Sequence, residues 1–110
     1  MAYIQTLYLV VGDTLPNVVF TLEDQTTGDA INLTGATVRM RIREVGSSTE
    51  KAVLTCTAVD LPNGQVSTNF PSGVLDVAGT FEAELEITFS GGDVQTMYDK
   101  IKLVVRDEVG

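Results

Sequence analysis

Histidine and tryptophan are absent from this chain, cysteine occurs once, and only seven of 110 residues are basic. Each shortage removes a class of function. Without histidine, the usual general base, triad partner and metal ligand is missing. A lone Cys56 permits no intramolecular disulfide. Its setting, residues 53–59, reads as strand interior, so the thiol is expected to be a small buried hydrophobe. No cation or helix N-terminus stands nearby to activate it. No apolar run approaches the ~20 residues needed to cross a bilayer as a helix. Met1-Ala2-Tyr3-Ile4-Gln5 lacks the basic start and apolar core of a secretory signal. Fifteen acidic residues give a net charge of −8, which disfavours nucleic acid and anionic membranes as partners.

What the chain does have is two matched stretches. Residues 37–43 alternate apolar side chains with Arg39, Arg41 and Arg43. Residues 81–89 alternate apolar side chains with Glu82, Glu84 and Glu86. Alternation at period two marks a strand buried on one face and wetted on the other. Like charges two residues apart repel unless a neighbouring strand carries the opposite sign. The two strands are therefore expected side by side and antiparallel, with Arg39 near Glu86, Arg41 near Glu84 and Arg43 near Glu82. This ladder is read as structural, each exposed pair adding only ~0.2–1 kcal/mol while fixing register.

The rest of the chain is also strand and turn. A hydrophobic content of 44% in 110 residues suits one folded domain spanning 1–110. Strands are expected at 4–11, at 17–23 after Pro16, at 36–44, 51–60, 65–70, 79–89 and 94–106. A short extended piece at 30–33 forms a hairpin return or an edge. Asn63-Gly64 signals a hairpin turn, residues 74–76 suggest one helical turn, and Asp99-Lys100 a bulge. About seven strands separated by turn signals predict an all-β, immunoglobulin-like antiparallel β-sandwich. The arginine and glutamate strands are third and sixth, which are direct neighbours in that topology.

No catalytic, cofactor-binding or metal-binding residue can be nominated. The turn aspartates Asp24, Asp29, Asp60, Asp76 and Asp93 form no calcium-loop pattern and read as turn chemistry. The phenylalanines fall on core stripes. Tyr8 is expected to pack inside the sandwich, with a role as an exposed anchor as the alternative.

Three segments in order resemble a known family. Gly12-Asp13-Thr14 with the apolar strand 18–22, Leu33-Thr34-Gly35-Ala36-Thr37 running into the arginine strand, and Gly79-Thr80-Phe81 leading through the glutamate strand to Gly91-Gly92-Asp93 are similar to the N-terminal domain of the phage baseplate upper protein family. The resemblance spans about residues 11–106. It implies a non-enzymatic virion part, assembled in the host cytoplasm, that docks on other virion structural proteins and forms homo-oligomers on the particle. Family members often continue into a region carrying receptor-binding proteins, and this chain stops at Gly110. The expected roles are a tail or baseplate adaptor, a neck ornament or a capsid decoration protein. Candidate contacts are Tyr3, Ile4 and Leu7 on the first strand and Val104, Arg106 and Val109 near the end of the chain. A carbohydrate- or surface-binding adhesion module using loops 24–29, 46–50 and 71–78 is the rival from another class. An enzyme ranks last.

Overall fold

The computed structural model describes residues 3–14, 17–24, 26–97 and 100–109, with backbone alone for Tyr3 and Ile4. Among them run nine strands: β1 (Tyr3–Val10), β2 (Val18–Thr21), β3 (Thr37–Glu44), β4 (Glu50–Thr55), β5 (Thr57–Asp60), β6 (Gln65–Thr68), β7 (Gly79–Thr88), β8 (Val94–Thr96) and β9 (Lys100–Arg106). They form an all-β sandwich. The large sheet has the order β1-β9-β7-β3-β4, with β8 paired to β7, and the small sheet the order β2-β6-β5. In immunoglobulin terms, β3 and β7 are the central C and F strands, and β2, β6 and β5 are B, E and D.

The period-two pattern explains the layering. Val38, Met40 and Ile42 of β3 turn inward, as do Phe81, Ala83, Leu85 and Ile87 of β7 and Ile101, Leu103 and Val105 of β9. Phe20 and Val66 of the small sheet close the core from the other side, with Leu22, Leu33 and Phe70 from the connecting segments. Full burial of each such side chain is worth ~1.5–3 kcal/mol, so the stripe fixes which face of each strand points in.

The β3–β7 register is the expected one: Arg39 lies opposite Glu86, Arg41 opposite Glu84 and Arg43 opposite Glu82. The 30–33 segment is a hairpin return arm, bridged through Glu23 and Ala30. Asn63-Gly64 closes the β5–β6 hairpin, with Gly64 at φ 73° capping a 3-10 turn over Leu61–Asn63.

Four details differ from expectation. Most pairings are antiparallel, but β1 runs parallel to β9. The expected strand 51–60 is two strands, because the chain leaves β3 after Thr55 and joins β6 from Thr57, changing sheets at Cys56. Single-sequence alternation cannot reveal that switch, since both halves keep the strand pattern. The expected strand 94–106 is likewise divided into β8 and β9. Residues 74–76 form no helical turn; a turn at 72–73 carries the chain past, and Leu75 is buried. Pro16 and Asp99 lie outside the described residues.

Candidate functional site

The outer face of the large sheet gathers the charge. Arg39, Arg41 and Arg43 project from β3, Glu82, Glu84 and Glu86 from β7, and Lys100, Lys102 and Arg106 from β9, because the alternate positions are in the core. Glu82 sits lowest in this layer at 7% exposure. One of its oxygens, Oε1, accepts from Arg43 Nε at 2.8 Å and lies 2.7 Å from Arg43 Nη2, with Lys100 Nζ at 3.5 Å. A buried carboxylate needs such partners, and a double donor from one guanidinium is among the strongest available.

Arg41 departs from the expected rung. It stands opposite Glu84 in register, yet its Nε and Nη2 donate to Glu86 at 3.2 and 3.1 Å, and its Nη1 to Glu50 at 2.7 Å. Sheet twist brings diagonal neighbours within reach of a long side chain, and Glu86 offers both oxygens to one fork. The hydrogen bonds and charge of Glu86, followed by the charge of Glu50, raise the Arg41 pKa above its ordinary value. Among the described residues, Arg39 and Glu84 make no ion pair. The ladder therefore holds two tight rungs rather than three equal ones.

Between β3, β7 and the 45–49 turn lies a depression of about 150 Å³ lined by Arg41, Arg43, Ser48, Glu50, Glu82 and Glu84. That is smaller than the ~300 Å³ at which cavities begin to enclose small-molecule ligands. Among the described residues no three His, Cys, Asp or Glu side chains converge as metal ligands. Cys56 is half-buried, and desolvation pushes its thiol up to about 11. Lys51 is ion-paired with Asp76 and lies 5.5 Å from the Phe81 ring centroid, tying the edge strand β4 to the 71–78 segment. The hydrogen bond from Lys51 is the main reason the Asp76 carboxyl lies below its usual range.

The nominated contact residues do not form one patch. Leu7 is a core residue at 8% exposure, because β1 points Leu7 and Leu9 inward. Its nomination as an interface residue is corrected. Tyr8, expected inside the sandwich, is 79% exposed on the outer face beside Val104. The parity of Leu7, Leu9 and Val11 against Thr6, Tyr8 and Val10 carried that signal. Val104 is half-buried, Arg106 is exposed and donates to the Asp107 carbonyl, and Val109 is 93% exposed. The side chains of Tyr3 and Ile4 lie outside the described residues.

The three loops of the rival reading do not converge. Residues 46–50 and 71–78 share the end where Lys51 meets Asp76. Residues 24–29 belong to the opposite end, where Leu22 and Leu33 bond to the 61–64 turn. Asp24 Oδ1 accepts from the Thr26 and Thr27 amides at 2.8 and 3.2 Å, as turn chemistry requires.

No protein-family model matches this chain, and no curated protein matches it. Similar solved structures do exist. The N-terminal domain of phage TP901-1 ORF48 matches over 94% of this chain and 99% of its own, with TM-score 0.60 and 13% identity. CopC from Methylosinus trichosporium OB3b matches over 96% and 87%, with TM-score 0.55 and 8% identity. At these identities the likeness establishes a shared β-sandwich fold, and one bearer of that fold is a phage protein.

Proposed function

We propose that this chain is a non-enzymatic phage structural protein of the baseplate upper protein type, a docking module that joins virion proteins through its surfaces. The observation that carries the reading is the near end-to-end fold match to a phage N-terminal domain, 94% of one chain against 99% of the other. The ordered motifs at 12–14, 33–37 and 79–93 support the same family. So does the character of the outer face, where carboxylates and guanidiniums neutralise each other around a shallow depression. Docking of this kind works through modest contacts made firm by repetition on a symmetric particle. A tail or baseplate adaptor is the preferred placement over a capsid decoration.

The test is quantitative mass spectrometry of purified particles made by the genome that encodes this chain. A copy number in keeping with tail symmetry supports an adaptor, and hundreds of copies support capsid decoration. Absence of the chain from washed particles defeats the proposal.

A further inference from the structure

Among the described residues five strands have a single partner strand: β1, β4 and β8 in the large sheet, β2 and β5 in the small one. β1 is the longest, with eight residues against six for β4, four each for β2 and β5 and three for β8. An open edge presents unpaired main-chain donors and acceptors, and proteins normally guard it with charge, proline or brevity. Here β4 begins with Glu50-Lys51, β5 ends in Asp60, and β2 and β8 are short. β1 has no such guard, since no charged residue occurs in positions 1–12. The charges stand instead on β3, β7 and β9, interior strands whose backbone groups already have partners. That is the reverse of the protective arrangement. Among the described residues no strand pairs with the far side of β1.

We propose that β1 pairs antiparallel with β1 of a second copy of this chain across a two-fold axis, merging two large sheets into one. Charge leaves β1 as the edge where two copies can meet, and its opposite balance at the two ends of the strand makes an antiparallel second copy the complementary occupant. Two chains of net charge −8 repel wherever their acidic surfaces meet. Along β1 neither copy brings a carboxylate. At the C-terminal end of β1, where Val11 bonds to the Arg106 carbonyl, Asp13, Asp107 and Glu108 outnumber the single cation Arg106 opposite Val10. Lys100, whose ammonium lies 3.5 Å from the Glu82 carboxylate that it shares with Arg43, stands at the start of β1, opposite Tyr3, and no carboxylate of the strand itself is there. Antiparallel pairing sets each acidic end beside the lysine-bearing start of the other copy, whereas parallel pairing stacks acids on acids. A two-fold contact also uses the same patch twice, so it closes at two copies. The exposed Tyr8, flanked by Thr6 and Val10 on the outer face, adds an aromatic anchor. This deepens the docking reading and takes its setting from it.

The experiment is light scattering on the purified chain through a concentration series at low and high salt. The expected result is a rise from one chain mass toward two, favoured by salt because screening removes the net repulsion. Thr6→Lys/Tyr8→Lys, which charges the edge, is expected to weaken self-association by roughly tenfold, whereas Val53→Lys on β4 leaves it unchanged. Hydrogen exchange on the unmodified chain gives a reading that needs no variant: β1 amides gain protection with concentration and β4 amides do not. A single chain mass at every concentration, self-association indifferent to the two lysines, or protection gained on β4 instead overturns the inference. A chain that dimerises through β1 but is missing from particles sinks the virion reading alone. A monomer present in particles sinks this one alone.

Discussion

Replacing Gly64 by alanine separates two costs that the fold loads onto one residue. Gly64 sits at φ 73° and ψ 22°, left-handed backbone that costs an L residue ~1–2 kcal/mol. A methyl group there would also stand 2.7 Å from the Leu22 carbonyl oxygen and 2.9 Å from that of Ile31. Both are backbone atoms of a bonded lattice. The Leu22 amide donates to Gly64, the Ile31 amide to Leu22 and the Leu33 amide to Leu61, at 2.8–2.9 Å. Relieving the contact means moving these segments by roughly half an ångström, which weakens two such bonds at ~1 kcal/mol each. Gly64→Ala should therefore lose about 3 kcal/mol, a large part of the ~5–15 kcal/mol that holds a domain together. In a chain of this size that lowers Tm by roughly 12 °C. Gly28 provides the control: its φ is 77°, with nothing within 4 Å of an added methyl group. Gly28→Ala should lose only the backbone term of ~1 kcal/mol. Thermal and urea unfolding followed by circular dichroism give both numbers. Equal losses in the two variants would refute the steric half of the reasoning.

The remaining predictions concern the charged face, the 71–78 segment and the thiol. Glu82→Gln leaves Arg43 and Lys100 without their shared carboxylate oxygen and should cost ~2 kcal/mol in urea unfolding. Glu84→Gln should stay within ~0.5 kcal/mol, since Glu84 makes no ion pair among the described residues. Because the Asp76 carboxyl is depressed in the folded state, its contribution is present above the ordinary aspartate pKa and lost as pH falls through the folded value. Asp76→Asn should accordingly show a smaller loss of Tm between neutral and strongly acidic pH than the unmodified chain. For Cys56, folding raises the thiol pKa from 9.0 to about 11. Labelling by a disulfide reagent at pH 8 should then be roughly a hundredfold slower in the folded than in the unfolded chain. The same shift favours the fold below pH 9, and this contribution disappears as pH rises toward 11.

Much of the architecture was legible because charge and hydrophobicity repeat at the same period in residues 37–43 and 81–87. That coincidence set the register, and the structure keeps it pair for pair. The partner choice of Arg41 was not legible, because alternation describes a flat ladder while twist brings Glu86 closer than Glu84. The sheet change at Cys56 was hidden for a different reason. An uninterrupted alternating stretch looks the same whether it borders one sheet or two. Leu7 and Tyr8 were misplaced by judging residue type over parity, since the inward Leu7, Leu9 pattern leaves Tyr8 outside. The candidate surface was less legible than the fold, because contact patches arise from what the topology leaves uncovered.

The parallel pairing of β1 with β9 has a mechanical consequence. The chain enters at one pole of the sandwich and leaves from the other, so tension between its ends pulls along the two adjacent strands. All seven paired positions, from Tyr3 with Lys100 to Val10 with Arg106, then carry load together. A hairpin pulled apart at its mouth would give way one rung at a time. Single-molecule stretching from both ends should show one high rupture force, reduced by Leu9→Pro within that ladder.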